Sequence, residues 1–331
     1  MSQTPFPDPL ALAGRPPTPA EAAAWLEPDD LGQLGRLLAA AGAARQRWQA
    51  DAVELCAIVN ARSGRCSEDC AFCAQSAHHH TDAQVYPLLS ATEIAQRAER
   101  AADCGALRFG LVTSGKGCPS GRDLDEICRA LELIVKRGRI LPCASLGLLN
   151  AAQARRLVEA GLRRYHHNLE SGPSYFPSIC ASHAFEERVE TVRVAQQAGL
   201  EVCCGGIVGM GETPAQRAEL AFAVAELAPQ SVPVNFLSPI AGTRLAHLRP
   251  MGALQALAAL AVFKLIMPQA QIRACGGRAQ ILGDLAPLMF LAGASAAMTG
   301  NYLTTQGPQS QRDLAVIAAL GLRPVLPPRE E

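Results

Sequence analysis

Eight short apolar runs alternate with segments of helix length along most of this chain: VELCAIVN, ALRFGLVT, RILPCASLG, LRRYHHNLE, LEVCCGGIVGM, SVPVNFLSP, QIRACGG and MTGNYLTT. The segments between them carry helix signals. Ser90-Ala91-Thr92-Glu93 is a capping box, and Gly105, Gly138, Gly161 and Gly199 stand where helices should stop. Strand and helix in strict alternation argue for a parallel sheet, because parallel neighbours need crossovers of helix length. Eight repeats in 331 residues predict a closed (β/α)8 barrel of the TIM type over an open doubly wound sheet. The expected boundaries are a disordered Pro- and Ala-rich arm over residues 1–17, a helical extension over 18–50, the barrel over 51–310, and a C-terminal helix and tail over 311–331. Thr18-Pro19-Ala20-Glu21 combines an N-cap, a Pro at the first helical position and a capping-box acid, so the extension starts there.

Charge excludes some function classes. The 30 basic residues balance 30 acidic ones, so no overall field draws nucleic acid or anionic lipid. The stretch MSQTPFPDPLALAGRPPTP has no basic region followed by an apolar one, and no uncharged apolar run approaches the ~18 residues of a membrane span. A cytoplasmic protein without membrane or nucleic-acid partners is the expectation. In a reducing compartment the 12 cysteines are then metal ligands, catalytic groups or packing thiols, not disulfides.

Barrel enzymes place their chemistry at the C-terminal ends of the strands, and that rule sorts the thiols. Cys66, Cys70 and Cys73 fall in the loop after the first strand, while Cys143, Cys203, Cys204 and Cys275 lie in or near the ends of three others. Cys104, Cys128 and Cys180 fall on helices or their flanks and Cys56 lies early in a strand, so these four read as packing residues. Cys118, in GKGCPSG, sits on the correct rim and stays open between the two roles.

The loop NARSGRCSEDCAFCAQSAHHH holds three thiols with C-x3-C-x2-C spacing and no local fourth. A structural zinc site needs four closed ligands, for which His78, His79 or His80 offers the last, but the first spacing is atypical of zinc modules. A cubane iron-sulfur cluster fits better: it takes one thiolate per iron, so three leave one iron open to a non-protein ligand.

CSEDCAFC resembles the signature loop of the radical S-adenosylmethionine (SAM) enzymes. That resemblance implies a 4Fe-4S cluster on Cys66, Cys70 and Cys73 whose open iron chelates S-adenosyl-L-methionine, and Phe72 with its backbone against adenine. The likeness extends over residues 50–310 through SGRCSEDCAFCAQS, YHHNLES, EVCCGGIVGMGET, SVPVNFL, MPQAQIRACGGR and LMFLAGASAAMTGNYLTT, and these segments are similar to those of the biotin synthases, which insert sulfur into dethiobiotin. Carried over, Arg188 pairs with the carboxylate of SAM, a task suited to a guanidinium fork. Asn168 and Glu170 contact ribose and substrate, Glu170 standing where Asp is more usual. Ile207 lies beside adenine, Asn235 meets the ureido ring, and Thr304 and Thr305 receive the carboxylate tail. The glycines of GGIVGMGE do not have G-x-G-x-x-G spacing and suit close approach of backbone to adenosine instead of a dinucleotide fingerprint.

The family also carries an auxiliary cluster, in one branch a 2Fe-2S cluster on three cysteines and an arginine. Cys143, Cys203 and Arg273 match three of those ligands, Gly110 stands where the remaining cysteine should be, and Cys275 appears two residues beyond Arg273. Residues two apart on a strand share a face. The expectation is therefore an altered auxiliary cluster, of 2Fe-2S or four-iron type, on Cys143, Cys203 and Cys275 with Arg273, and Cys204 ranked behind Cys203 because it faces the other way. The resemblance further implies an electron donor such as flavodoxin or ferredoxin and a homodimer. Competing readings are a related radical enzyme of carbon-skeleton rearrangement or cofactor maturation, and a zinc-stabilised binding protein without turnover.

Overall fold

The computed structural model describes residues 7–12, 15–301, 303–304 and 310–326. Ten strands follow in chain order: β1 (Ala52–Arg62), β2 (Arg108–Thr113), β3 (Leu141–Ser145), β4 (Arg164–His166), β5 (Glu201–Cys203), β6 (Gly206–Val208), β7 (Ser231–Phe236), β8 (Gln271–Ala274), β9 (Ala296–Met298) and β10 (Arg323–Pro324). Every pairing is parallel, and β1 bonds both β2 and β9, which closes the cylinder. The fifth position is one strand broken in two. At Gly205, between β5 and β6, an added Cβ would lie 2.0 Å from the Pro233 carbonyl oxygen, so only glycine lets β7 pass there. Counting β5 and β6 together, the barrel has the eight expected strands.

One strand lies elsewhere than expected. The run MTGNYLTT supplies only its first residue to the barrel; the strand is Ala296–Met298, and the chain leaves the sheet after Thr299 donates to the Cys56 carbonyl. Its small residues lack the branched, apolar look of a buried strand.

The helix starts follow the capping chemistry. Thr18 forms a reciprocal box with Glu21, Asn150 with Gln153 and Thr213 with Gln216, and Ser90 accepts from the Glu93 amide. The helix Ala253–Ile266 is apolar on all sides and nearly wholly buried, because the helix Leu31–Gln49 of the N-terminal extension covers its outer face. The segment expected as a loose arm is tied down in part: Pro9–Leu12 makes a 3-10 turn, Leu12 is buried, and Trp25 Nε1 donates to the Pro7 carbonyl at 2.7 Å. Residues 1–6 and 13–14 of that arm lie outside the described residues. At the other end, the helix Ser310–Ala319 leads into β10, which joins the outer edge of β1 with Ala52 opposite Arg323.

Inside the barrel, four charged side chains form a floor. Glu54 Oε1 lies 3.2 Å from Arg108 Nε and 3.1 Å from Arg164 Nη1, and it also takes Arg273 Nη2. Burial alone would raise the Glu54 carboxyl, but the charges of Arg273, Arg164 and Arg108 outweigh it and bring its pKa down to about 2. A depressed folded-state value gives stability that is complete above the ordinary carboxylate value of 4.5 and is lost as pH falls towards 2. Urea unfolding at a series of pH values should show about 3 kcal/mol of stability lost across that window from this group, and Glu54→Gln should flatten it; an unchanged pH profile in the variant would show that the floor carries no such linkage.

Candidate functional site

The three-cysteine loop leaves β1 through Gly64 and Arg65, both at positive φ, and folds back on itself. The Cys66 amide donates to the Gln75 carbonyl at 3.0 Å and Ala77 returns a bond to the Cys66 carbonyl at 2.8 Å, while Ser76 Oγ closes on the Glu68 carbonyl at 2.6 Å. These bonds gather the three thiols: Cys73 lies within electrostatic reach of Cys66, and Cys70 of Cys73. Burial, with the neighbouring Cys66 thiolate, lifts the Cys73 thiol to about 11, so a bound cation is what would ionise the set. The histidines of the zinc reading have other partners: His78 Nε2 meets the Ser67 carbonyl at 3.0 Å and His79 Nδ1 the Cys73 carbonyl at 2.8 Å.

Cys180 packs in a buried cluster with Phe176, Ile179 and Met210, as expected of a packing thiol, but also has polar neighbours. Its Sγ lies 3.8 Å from Cys70 Sγ, 3.2 Å from His183 Nδ1 and 3.3 Å from Asp69 Oδ1. With Glu68 and His183 it forms the one group of three metal-binding side chains found within 4.8 Å of one another among the described residues. The reason is tertiary, because the loop before the helix Phe185–Gln197 folds over the cysteine loop.

Beside the loop is a cavity of about 150 Å³ lined by Cys66, Cys70, Asn168, Glu170 and Arg188. Arg188 is held there by three contacts. Its Nη1 donates to the Asn168 carbonyl at 2.9 Å, its Nε to His183 Nε2 at 3.0 Å, and its guanidinium carbon lies 5.7 Å from the centre of the Phe176 ring. His183 in turn hydrogen-bonds Glu68, so the cysteine loop itself helps to orient the arginine. The main barrel cavity, about 360 Å³, adjoins the smaller one and shares walls with it at Ser145, His166, Asn168 and Glu170. Glu170 stands at this junction with φ of 70°, a left-handed conformation costly for a residue with a Cβ and one that recurs at binding sites.

Phe72, Ile207, Asn235 and Thr304 all line the main cavity; Thr305 lies outside the described residues. The Asn235 amide is pinned at both ends, donating to the Gly206 carbonyl at 3.0 Å and accepting from the Gly276 amide at 2.9 Å. The same cavity receives Cys143, Cys203 and Cys275. Cys204 does not line it and packs between barrel and helices, as strand alternation requires. Cys118 and Cys128 also belong to that outer core, whereas Cys104 is exposed.

Cys56 contradicts its expected packing role. It lines the cavity with the other thiols, because it lies two residues after Glu54 on the inward face of β1. A glutamate in an otherwise apolar strand was the available signal that this face turns inward to a polar interior. Arg108, Arg164 and His166, also unremarked in the sequence, complete the polar lining.

These residues suit anionic metal clusters and a polar cofactor. Burial, working against Arg108 and Arg164, leaves the Cys143 thiol at about 11, whereas at Cys203 the neighbouring His166, Arg273 and Arg164 outweigh burial and bring it to about 6. Buried and without a hydrogen-bond partner among the described residues are Arg108 Nη1, Arg273 Nη1 and Asn168 Oδ1, each on a cavity wall. Unpaired buried donors beside thiols ask for an anion.

Comparison with known proteins agrees with this geometry. Residues 61–224 match the radical SAM superfamily, and residues 233–323 match the biotin and thiamin synthesis associated domain. A biotin synthase of Geobacter sulfurreducens is 51% identical over 86% of this chain and 87% of its own length, and one of Pelotomaculum thermopropionicum is 50% identical over 88% and 91%. Among solved structures, methylornithine synthase aligns with a TM-score of 0.82 at 20% identity over 94% of this chain and 95% of its own, and a maturase of the FeFe-hydrogenase with 0.78 at 16% over 94% and 72%, likenesses of fold. With half its residues shared over most of its length, and with the three-cysteine loop set above a thiol-lined barrel, the chain belongs to the biotin synthase family.

Proposed function

We propose that this chain converts dethiobiotin to biotin, using S-adenosyl-L-methionine as the radical source and an auxiliary iron-sulfur cluster as the sulfur donor. The observation that carries the reading is the junction of two adjoining cavities: the cysteine loop lines one, the second thiol set lines the other, and Asn168 and Glu170 stand on the walls common to both. When bound, the 4Fe-4S cluster on Cys66, Cys70 and Cys73 supplies the electron that cleaves the sulfonium to a 5'-deoxyadenosyl radical, and the auxiliary cluster supplies sulfur.

The chain's own groups bind and orient. The guanidinium of Arg188, oriented by His183 and the Asn168 carbonyl, receives the cofactor carboxylate, and Asn168 and Glu170 take the ribose hydroxyls at the junction. Phe72 and Ile207 border the adenine, with apolar walls that keep water from a reactive carbon radical. Asn235, locked by Gly206 and Gly276, meets the ureido ring, and Thr304 at the rim takes the carboxylate tail together with Thr305. Cys143, Cys203 and Cys275, with Arg273, hold the auxiliary cluster. Two carbons each lose a hydrogen, so two equivalents of the sulfonium are consumed for each biotin. The electron donor is a flavodoxin or ferredoxin and the protein works as a homodimer, readings that rest on family resemblance; that it acts in the cytoplasm rests on the sequence patterning. No described helix is long and apolar enough to cross a membrane.

The test is an anaerobic incubation of reconstituted protein with dethiobiotin, reductant and S-adenosyl-L-methionine, followed by mass spectrometry. Biotin with about two 5'-deoxyadenosines for each is expected; cofactor cleavage without biotin would favour a carbon-skeleton or maturation enzyme. Cys275→Ala should abolish biotin while 5'-deoxyadenosine is still produced, and full biotin yield would remove Cys275 from the sulfur site. Arg188→Lys keeps the charge but not the fork, and anaerobic equilibrium dialysis should show cofactor binding about 10- to 100-fold weaker, the worth of a charge-assisted hydrogen bond.

A further inference from the structure

We propose that Glu68 and His183 are positioning residues for the cofactor carboxylate: a one-way chain of hydrogen bonds from Arg188 through His183 to Glu68 makes the folded cysteine loop a condition for recognising the cofactor. This rests on the reading that Arg188 receives that carboxylate, and it extends the site to a residue lying between Cys66 and Cys70 in the loop.

Donor chemistry fixes the direction of the chain. A guanidinium carries N–H donors only and stays protonated, so the 3.0 Å bond from Arg188 Nε requires His183 Nε2 to accept. An imidazole that accepts at Nε2 is neutral and keeps its proton on Nδ1. Nδ1 faces Glu68 Oε2, and a carboxylate accepts that proton. The same oxygen takes the Ser182 hydroxyl at 2.8 Å. The side chains of His183 and Glu68 are only 3% and 8% exposed, so neither can turn to water when its partner is lost.

That tautomer settles a rival reading. Glu68, Cys180 and His183 offer donor atoms close enough together for one metal ion. The ion would have to take His183 through Nδ1, which lies 3.2 Å from Cys180 Sγ and faces Glu68. The ring proton would then sit on Nε2 and point at the Arg188 Nε–H, two donors face to face. The group is therefore a hydrogen-bonded relay and not a cation site.

The chain also decides which edge of Arg188 is offered. Nε is committed to His183 and Nη1 gives one proton to the Asn168 carbonyl, while Nη2 has no partner among the described residues. Glu170 Oε1, at 3.8 Å from Nη1, is beyond hydrogen-bond range. Arg188 lines the smaller cavity with Cys66 and Cys70, so a carboxylate there meets the Nη end of the fork. The cysteine loop in turn holds the segment that carries His183. Asp69 Oδ1 accepts from the Ala181 and Ser182 amides at 3.0 Å each, and the Ala71 amide donates to the Ile179 carbonyl at 2.8 Å. Loop, imidazole and guanidinium are thus one bonded unit.

The test is anaerobic equilibrium dialysis of the reconstituted full chain with S-adenosyl-L-methionine and, separately, with its decarboxylated analogue, iron being measured on the same samples. His183→Leu neither accepts from Arg188 nor donates to Glu68, and S-adenosyl-L-methionine binding should weaken about 10-fold, with iron content and binding of the analogue unchanged. His183→Gln places an acceptor and a donor on one side chain and should restore binding to within about threefold of the wild type. Glu68→Leu should weaken binding as His183→Leu does, and the two together should add nothing further, because the chain is already broken. Wild-type affinity in His183→Leu, or an equal loss for the analogue, would overturn the chain while leaving Arg188 in place. Zinc in the purified chain that disappears with His183→Leu would overturn the tautomer. A wild-type chain that does not bind S-adenosyl-L-methionine, or an Arg188→Lys variant that binds it undiminished, would instead overturn the reading of Arg188 beneath the proposal.

Discussion

Three guanidinium groups share one carboxylate inside the barrel, and the rest of the interior is arranged around that excess of positive charge. Glu54 accepts from Arg108, Arg164 and Arg273, and Glu201 at the edge takes a second contact from Arg108 and Arg164. Buried charge without compensation costs several kcal/mol for each ion, so an arrangement of this kind persists where something negative faces it. Above the floor the facing groups are thiols: burial keeps those of Cys56, Cys143 and Cys275 protonated until a cation displaces their protons, whereas His166 and the arginines bring Cys203 down to about 6. Floor and thiols together form a lining that suits an anionic metal cluster.

The barrel then sets where the two thiol sets stand. The three-cysteine loop hangs from the end of β1, and the other thiols sit deeper on β1, β3, β5 and β8. Between them the end of β4 places His166, Asn168 and Glu170 on walls common to both cavities. One scaffold thus sets the two groups of thiols on either side of these common walls, with Arg188 oriented there through His183 and Glu68. Glu170 keeps its left-handed backbone at that junction, where strain serves position more than stability.

The parts legible in the sequence were those with local causes. The capping box at Thr18 and the N-cap at Ser90 fix helix starts through contacts within four residues, and strand alternation separates Cys203, which faces the cavity, from Cys204, which does not. The parts that were not legible depend on contacts distant in the chain. Cys180 meets Cys70 across 110 positions, and Cys56 shares a cavity with Cys203 and Cys275 because β1 closes against β9. The last strand was misplaced because Ala296–Met298 is small and unbranched, and only its seat between β1 and β8 makes it a strand.

By itself, then, the sequence determined the number and order of the strands, the three-thiol loop and its spacing, and the kinship those residues carry. Those properties are periodic or local, and no distant contact is needed to read them. Which thiols share a cavity and which arginines face them were decided by barrel closure. Inward and outward faces on separate strands become neighbours only when the first strand meets the last.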